Sequence, residues 1–229
     1  MKPKPLIVLA IFFVCNHLTA QATKQIISGN EDIAASIPDS VKYLYPAFTF
    51  GKVTYREGTT GGSLLNYNLL AAAVQFVSQA GDTLSLANEI TIKFITINMD
   101  TFYYDKVYLK LVAGNEKAKL AENEKLSMSN IKKGAAFDSY TSSGGVDNVT
   151  SLNTGSRTVH LTENKQMVFI THHNFYIGDS YNHFIPATKK NVLKMFGKSR
   201  NLNVYLDTHP VNFNKESDLK DLIELLGNE

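Results

Sequence analysis

The stretch Glu89–Ile97 reads EITIKFITI and decides the fold class of the chain. Its side chains fall into two alternating sets, Ile90, Ile92, Phe94 and Thr96 on one side and Thr91, Lys93 and Ile95 on the other. On a helix, a period of two would scatter the apolar groups around the whole cylinder, whereas on a strand it builds two distinct faces. The stretch therefore predicts a β-strand.

Similar short runs lie on both sides of this strand. They are FTFGKVTY (48–55), LLNYNLL (64–70), VQFVS (74–78), TLSLA (83–87), residues 101–104, 107–112, 158–161 and 166–177. Polar turns separate several of them, for example REGTTGGS at 56–63. Short strands with turns between them predict an antiparallel β-domain over residues 47–183, either a meander or a sandwich-like arrangement.

One segment inside the predicted β-domain has a different composition. Residues from about 132 to 157 are rich in Ser, Thr, Gly and Asn. Such a composition offers too little apolar surface to offset the entropy lost on ordering. We predict a long loop there, of a length that is uncommon inside compact domains.

Helical signals appear only in the C-terminal segment, residues 184–229. Thr188, Ser199 and Asn214 are predicted N-caps of three short helices. In the last helix the apolar positions follow the spacing i, i+3, i+4 and i+7, at Leu219, Leu222, Ile223 and Leu226. The predicted fold class is α+β, mainly β, and the helices are expected to pack on the sheet or to dock on a partner.

The N-terminus has the layout of a secretory signal peptide. Lys2 and Lys4 precede the ten-residue apolar run LIVLAIFFVC (6–15), and Ala20-Gln21-Ala22 offers small residues for cleavage. The apolar run is shorter than the roughly 20 residues that span a bilayer. We predict a signal peptide at residues 1–22, followed by an N-terminal arm at residues 23–46.

The single cysteine lies inside this leader. Phe12, Phe13 and Val14 precede Cys15, and they are bulkier than the residues before a lipidated cysteine, so we do not expect a lipoprotein. Cleavage after Ala22 would leave a chain without cysteine and would exclude disulfides and Cys-ligated zinc. The 23 basic residues include two in the leader, so the rest of the chain balances its 21 acidic residues. This balance is not that of a nucleic-acid binder.

Histidines are concentrated in THHNFYIGDSYNHF, residues 171–184, which holds three of the six. His172 and His173 point to opposite faces of a strand, so they cannot both bind one metal ion. One of them, with Asp179 and with His183 across a turn, would form a His–His–carboxylate set of the kind that binds catalytic zinc. The spacing matches no standard motif, and the alternative is a β-hairpin with polar ends. The candidate metal ligands are thus His172, Asp179 and His183.

Several segments together resemble a group of secreted proteins of Bacteroidota that has no known function. They are LLNYNLL (64–70) with GDTLSLAN (81–88), FIPATKKNVLKMF (184–196), and VYLDTHPVNFNKESDLKDLIELL (204–226). The resemblance covers most of the chain after the leader. It implies export and a β-region followed by C-terminal helices, and it implies no activity and no catalytic residue.

No catalytic residue, cofactor-binding motif or cofactor is predicted from the sequence. We expect an exported, non-enzymatic protein of the cell envelope that binds a protein partner. It is not expected to bind nucleic acid, and after cleavage of the leader it is not expected to contain a transmembrane segment. It would be periplasmic, outer-membrane-associated or extracellular. Two alternatives stay open. One is a metal-dependent hydrolase that uses the histidine hairpin, and the other is a glycan-binding module, for which Tyr103 and Tyr104 are candidate aromatic platforms.

Overall fold

The computed structural model describes residues 26–28, 37–133, 140–141, 166–197 and 199–228. The predicted signal peptide at residues 1–22 lies outside the described residues. So do the predicted strand at 158–161 and most of the predicted loop at 132–157.

The strands of the described residues pair antiparallel, which confirms the predicted class of α+β, mainly β. They are β1 (Ile26–Ser28), β2 (Thr49–Tyr55), β3 (Thr60–Asn68), β4 (Ala73–Val77), β5 (Thr83–Ser85), β6 (Ile92–Ile97), β7 (Asp100–Asp105), β8 (Val107–Gly114), β9 (Ala118–Lys133), β10 (Tyr140–Thr141), β11 (Gln166–Asp179) and β12 (Phe184–Pro186). Their order is β1-β11-β9-β8-β7-β6-β2-β3-β4-β5, with β10 beside β9 and β12 beside β11. The run from β6 to β9 is a meander, but β2 lies between β6 and β3, so the whole sheet is not one meander.

The sheet curls until the end of β3 meets β9. The Tyr67 hydroxyl donates to the carbonyl of Glu124 at 2.9 Å, and the N–H of Leu126 donates to the carbonyl of Leu69 at 2.8 Å. The Tyr67 ring also stacks on Phe102, with 5.6 Å between ring centroids. The curl encloses the first hydrophobic core, whose buried members include Val53, Leu65, Val74, Ile92, Ile95, Ile97, Leu126 and Phe169.

Three C-terminal helices build a second hydrophobic core on the sheet. A short helix α1 (Asp39–Lys42) precedes β2, and the C-terminal helices are α2 (Lys189–Phe196), α3 (Arg200–Thr208) and α4 (Glu216–Gly227). Their buried residues Val192, Leu202, Leu206, Leu219, Leu222, Ile223 and Leu226 cluster with Ala118, Leu120 and Ile177 of the strands. The Asn115 side-chain amide donates to the carbonyl of Ile223 at 2.7 Å. The helices therefore pack on the sheet, which was one of the two expectations.

The predicted caps agree with the structure at two of three helices. The side chain of Thr188 accepts from the N–H of Asn191, and that of Ser199 accepts from the N–H of Leu202. The prediction for the last helix is wrong, because Lys215, not Asn214, precedes its first residue, without a side-chain cap. Within the described ranges, no helix is both long enough and apolar enough to cross a membrane.

Several predicted boundaries need correction. The predicted turn at 56–63 is shorter, since β3 begins at Thr60. Glu89–Thr91 forms a 3-10 turn, and the strand that was predicted from Glu89 begins at Ile92. The predicted loop at 132–157 overlaps the end of β9 at Lys133 and the two residues of β10. At β3, β9 and β10 cross-strand pairing overrides the local composition.

Candidate functional site

Asp179 and His183 lie together at the turn between β11 and β12. One carboxylate oxygen of Asp179 accepts the N–H of Tyr181 at 2.9 Å and that of His183 at 3.0 Å. The Asp179 N–H in turn donates to the carbonyl of His183 at 3.1 Å. Asp is favoured in turns for this kind of local bonding. The Asp179 side chain thus shapes the turn that was predicted here.

His172 lies far along β11 from this turn. It pairs with Lys125, whereas Asp179 pairs with Ala118, so the two residues are seven positions apart on one strand. At about 3.3 Å per residue this distance is about 23 Å. The Nε2 atom of His172 lies 2.6 Å from the hydroxyl of Ser127. The structure therefore does not bring His172 together with Asp179 and His183.

His173 belongs to a different group of side chains, which we call the carboxylate–histidine cluster. Its members are Lys110 of β8, Glu122 and Glu124 of β9, and His173 of β11. His173 Nδ1 lies 2.6 Å from Glu122 Oε1. Lys110 Nζ lies 3.8 Å from an oxygen of each glutamate. Among the described residues, Glu122, Glu124 and His173 are the one group of three or more His, Cys, Asp or Glu with the spacing of metal ligands.

The sheet register creates this cluster. Glu124 pairs with His173, and Glu122 pairs with both Lys110 and Phe175. Since residues two apart on a strand share a face, the two glutamates point to the same side of the sheet. Between them, the side chain of Asn123 donates to the carbonyl of Tyr108 at 2.9 Å and fixes β9 against β8.

The cluster runs from a buried carboxylate to an exposed imidazole. The side chain of Glu122 is 7% exposed, that of Glu124 is 16%, that of Lys110 is 23% and that of His173 is 42%. Burial raises the pKa of Glu124 above its usual value. Lys110 opposes this shift, and Glu122 adds to it. Solvent therefore reaches the cluster from the histidine side, while its carboxylates lie in a poorly solvated environment.

This cluster was not predicted from the sequence. Residues 113–130 gave no strand signal, because Glu, Lys, Asn and Ala are depleted in strands. One signal is nevertheless present. Leu120, Glu122, Glu124 and Leu126 share one parity, which places two acids between two apolar residues on a buried face. Acids at apolar positions of a strand indicate a paired or functional set.

An exposed apolar pair lies on the opposite face of the sheet. Phe50 of β2 pairs directly with Leu64 of β3. Phe50 is 71% exposed and Leu64 is 47% exposed. The Phe50 ring lies over Gly62, where a β-carbon would lie 2.7 Å from the tip of the ring. The registers from β2 through β9 place Val53, Phe102, Lys110 and Glu122 on one face and therefore Phe50 on the other.

The tyrosines that were candidate glycan platforms are engaged by other rings. Tyr103 contacts Phe184 with 5.5 Å between centroids, and Tyr104 contacts Tyr108 edge-on at 5.0 Å. Both tyrosines are partly buried.

In comparisons with known proteins, no family model, no curated protein and no solved structure matches the chain.

Proposed function

We propose that the chain is an exported, non-enzymatic protein of the cell envelope that acts by binding a protein partner. The exposed Phe50–Leu64 pair is the observation that carries the proposal. Export is supported by the sequence of residues 1–22, and the resemblance to secreted Bacteroidota proteins supports the same location.

The pair has the properties of an anchor for a protein surface. Single exposed apolar residues are common, but two adjacent ones on paired strands form a contiguous apolar contact surface. A large aromatic ring contributes binding energy at low entropic cost when a partner covers it. Gly62 leaves room for the Phe50 ring to lie against the backbone of β3.

The chemistry around the pair indicates the kind of partner. Lys52 follows Phe50 by two residues, so it shares the outer face, and it is exposed. A matching partner would present an apolar surface with an acidic group at its rim. Polar rims around apolar centres are the usual anatomy of protein interfaces.

The two alternative functions have less support in the geometry. The hydrolase hypothesis needed His172 or His173 beside Asp179 and His183, and both histidines lie at least six strand positions, about 20 Å, from Asp179. The glycan-binding hypothesis used Tyr103 and Tyr104, whose rings pack against Phe184 and Tyr108.

Site-specific photo-crosslinking in cells tests the proposal. A crosslinker replaces Phe50 in one strain and Ile90 in another, since Ile90 is 76% exposed but lies outside the pair. We expect one envelope protein to be crosslinked from position 50 and not from position 90. The purified partner should then bind the wild-type protein, and Phe50→Ser with Leu64→Ser should weaken its Kd at least tenfold, while Ile90→Ser leaves it unchanged. Equal crosslinking from both positions, or an unchanged Kd for the double variant, would refute the proposal.

A further inference from the structure

The carboxylate–histidine cluster has the donor set of a divalent transition-metal site. One ligand atom each from Glu122, Glu124 and His173 lie within 4.8 Å of one another. One imidazole nitrogen with carboxylate oxygens suits zinc, manganese or iron. Such a metal would bind each ligand atom at about 2.1 Å, so the three atoms have to approach by only a small rotation of the glutamate side chains.

A positive charge already occupies the position between the two carboxylates. Lys110 Nζ lies 3.8 Å from an oxygen of Glu122 and 3.8 Å from an oxygen of Glu124. These distances exceed those of ordinary hydrogen bonds, so the ammonium neutralises the acids only loosely. The two carboxylates together favour a cation at this position. A divalent ion there would balance both of their negative charges, whereas the single ammonium balances one.

We propose that Glu122, Glu124 and His173 bind one divalent transition-metal ion, represented here by Zn²⁺ or Mn²⁺, and that the Lys110 ammonium competes with this ion for the two carboxylates. When the ion binds, His173 Nδ1 exchanges its contact with Glu122 for a bond to the metal. The Lys110 side chain turns away from the carboxylates at the same time.

The scaffold and the solvent access both suit this role. The ligands come from β9 and β11, which pair in unbroken register from Ala118 to Ile131. Their backbone positions are therefore fixed before the metal arrives. The half-exposed His173 ring lies at the solvent side of the cluster, so an ion can enter there and keep water in its remaining positions.

The site is independent of the proposed function. It lies on the face of the sheet opposite to the Phe50–Leu64 pair, as the registers show. Loss of partner binding in the Phe50→Ser and Leu64→Ser variant would leave metal binding intact, so the two proposals can fail separately.

Titration of the purified protein with Zn²⁺ and with Mn²⁺ after treatment with a chelator tests the site. We expect calorimetry to give one equivalent of bound ion, and the Co²⁺ form to give a visible absorption band. His173→Ala should weaken the affinity at least tenfold and abolish the band. Lys110→Met should raise the affinity at least fivefold, because it removes the competing ammonium. All variants are titrated in the same buffer and at the same salt concentration, because ionic strength screens the Lys110 charge.

His172→Ala is the matched control, since His172 is the exposed neighbour that points to the other face. It should leave stoichiometry, affinity and absorption unchanged. Should Lys110→Met fold poorly, Lys110→Gln serves the same purpose, and circular dichroism of each variant establishes its fold. Binding below a tenth of an equivalent, equal loss from His172→Ala and His173→Ala, or unchanged affinity without the Lys110 ammonium would overturn the proposal and leave the cluster as an ion-pair network.

Discussion

His173 Nδ1 lies 2.6 Å from Glu122 Oε1, although the direct cross-strand partner of His173 is Glu124. The imidazole thus reaches diagonally along β9 to the more deeply buried of the two carboxylates. Glu124 makes no contact of that length with His173. One of its carboxylate oxygens lies 3.8 Å from the Lys110 ammonium. The two glutamates are chemically alike, but their electrostatic environments differ.

Glu124→Gln should have a higher free energy of unfolding than the wild type, and this difference should grow as the pH rises. Burial raises the pKa of Glu124, so the folded state holds its proton more tightly than the unfolded state. A group of this kind stabilises the fold fully below its unfolded pKa, and the contribution is lost as the pH rises through the folded pKa. Glutamine copies the neutral form at every pH. The difference between variant and wild type should therefore grow as the pH rises above about 4, the usual pKa of glutamate in an unfolded chain, as measured by urea denaturation.

Glu116→Gln is the control for this pH profile. Glu116 is exposed in the turn between β8 and β9, and its substitution should change the free energy of unfolding by less than about 0.5 kcal/mol. A Glu124→Gln difference that is flat or that falls with pH would show that Lys110 compensates the burial of Glu124 completely.

The sequence predicts the strands whose faces differ most in polarity. Alternation locates β6 but not its buried side, since Ile92, Ile95 and Ile97 are the buried residues there, and it locates β2 and β3 apart from their ends. The side-chain oxygens of Thr188 and Ser199 mark two helix starts, because capping is a local interaction. β9 could not be predicted in the same way, since its apolar residues are interrupted by Glu122, Asn123 and Glu124, and only pairing with β8 and β11 makes a strand of it.

The candidate site depends on still longer-range information. The sequence alone places His172 and His173 on opposite faces of one strand. It does not give the register, and a shift of a single residue would turn every side chain of β9 to the other face. His173 and Glu122 are 51 residues apart in the chain. Their contact therefore became visible only when the pairing of β9 with β11 was known.

Tyr67→Phe should destabilise the protein, whereas Tyr108→Phe should not. Burial raises the pKa of both tyrosines, so both hydroxyls are protonated at neutral pH. Tyr67 donates to the carbonyl of Glu124 at 2.9 Å, while the buried Tyr108 hydroxyl has no hydrogen-bond partner within the part of the chain that the structure describes. We expect Tyr67→Phe to lower the free energy of unfolding by about 0.5–1.5 kcal/mol. Tyr108→Phe should leave it unchanged or raise it by up to about 1 kcal/mol.

Chemical denaturation of both variants under one set of conditions checks this pair. Each substitution removes one oxygen from a buried ring, so the change in volume is the same. Equal destabilisation by the two would mean that the Tyr108 hydroxyl makes a favourable interaction and would contradict the prediction.

Gly178→Ala should destabilise the hairpin between β11 and β12. A β-carbon on Gly178 would lie within the space that the Phe184 ring occupies. The ring cannot move freely, because it packs with Leu109 and Ala121 on the outer face of the sheet. Overpacking of this kind costs about 1–3 kcal/mol, to be measured by thermal or chemical unfolding.

Gly61→Ala provides the comparison for the hairpin. Gly61 is also a strand glycine, but among the described residues other than its chain neighbours no atom lies within 4 Å of the position that its β-carbon would take. We expect a change within about 0.5 kcal/mol for this variant. If Gly178→Ala were equally mild, the Phe184 ring would have an alternative position, and the turn at Asp179 would not depend on it.

Leu219→Ala should destabilise the sheet together with the C-terminal helices. Leu219 of α4 is fully buried in the core that contains Leu120 of β9 and Ile177 of β11. Truncation of a buried leucine costs about 2–5 kcal/mol, through lost burial and the cavity that remains. Since the second core joins helices and strands, we expect a single unfolding transition at a lower denaturant concentration, with coincident signals from near-ultraviolet and far-ultraviolet circular dichroism.

Leu84→Ala is the control, because Leu84 is 47% exposed and its loss should change stability by less than about 0.5 kcal/mol. Two separated transitions in Leu219→Ala would contradict this prediction. They would mean that the helices unfold without the sheet, so that residues 184–229 would be free to leave it and contact a partner.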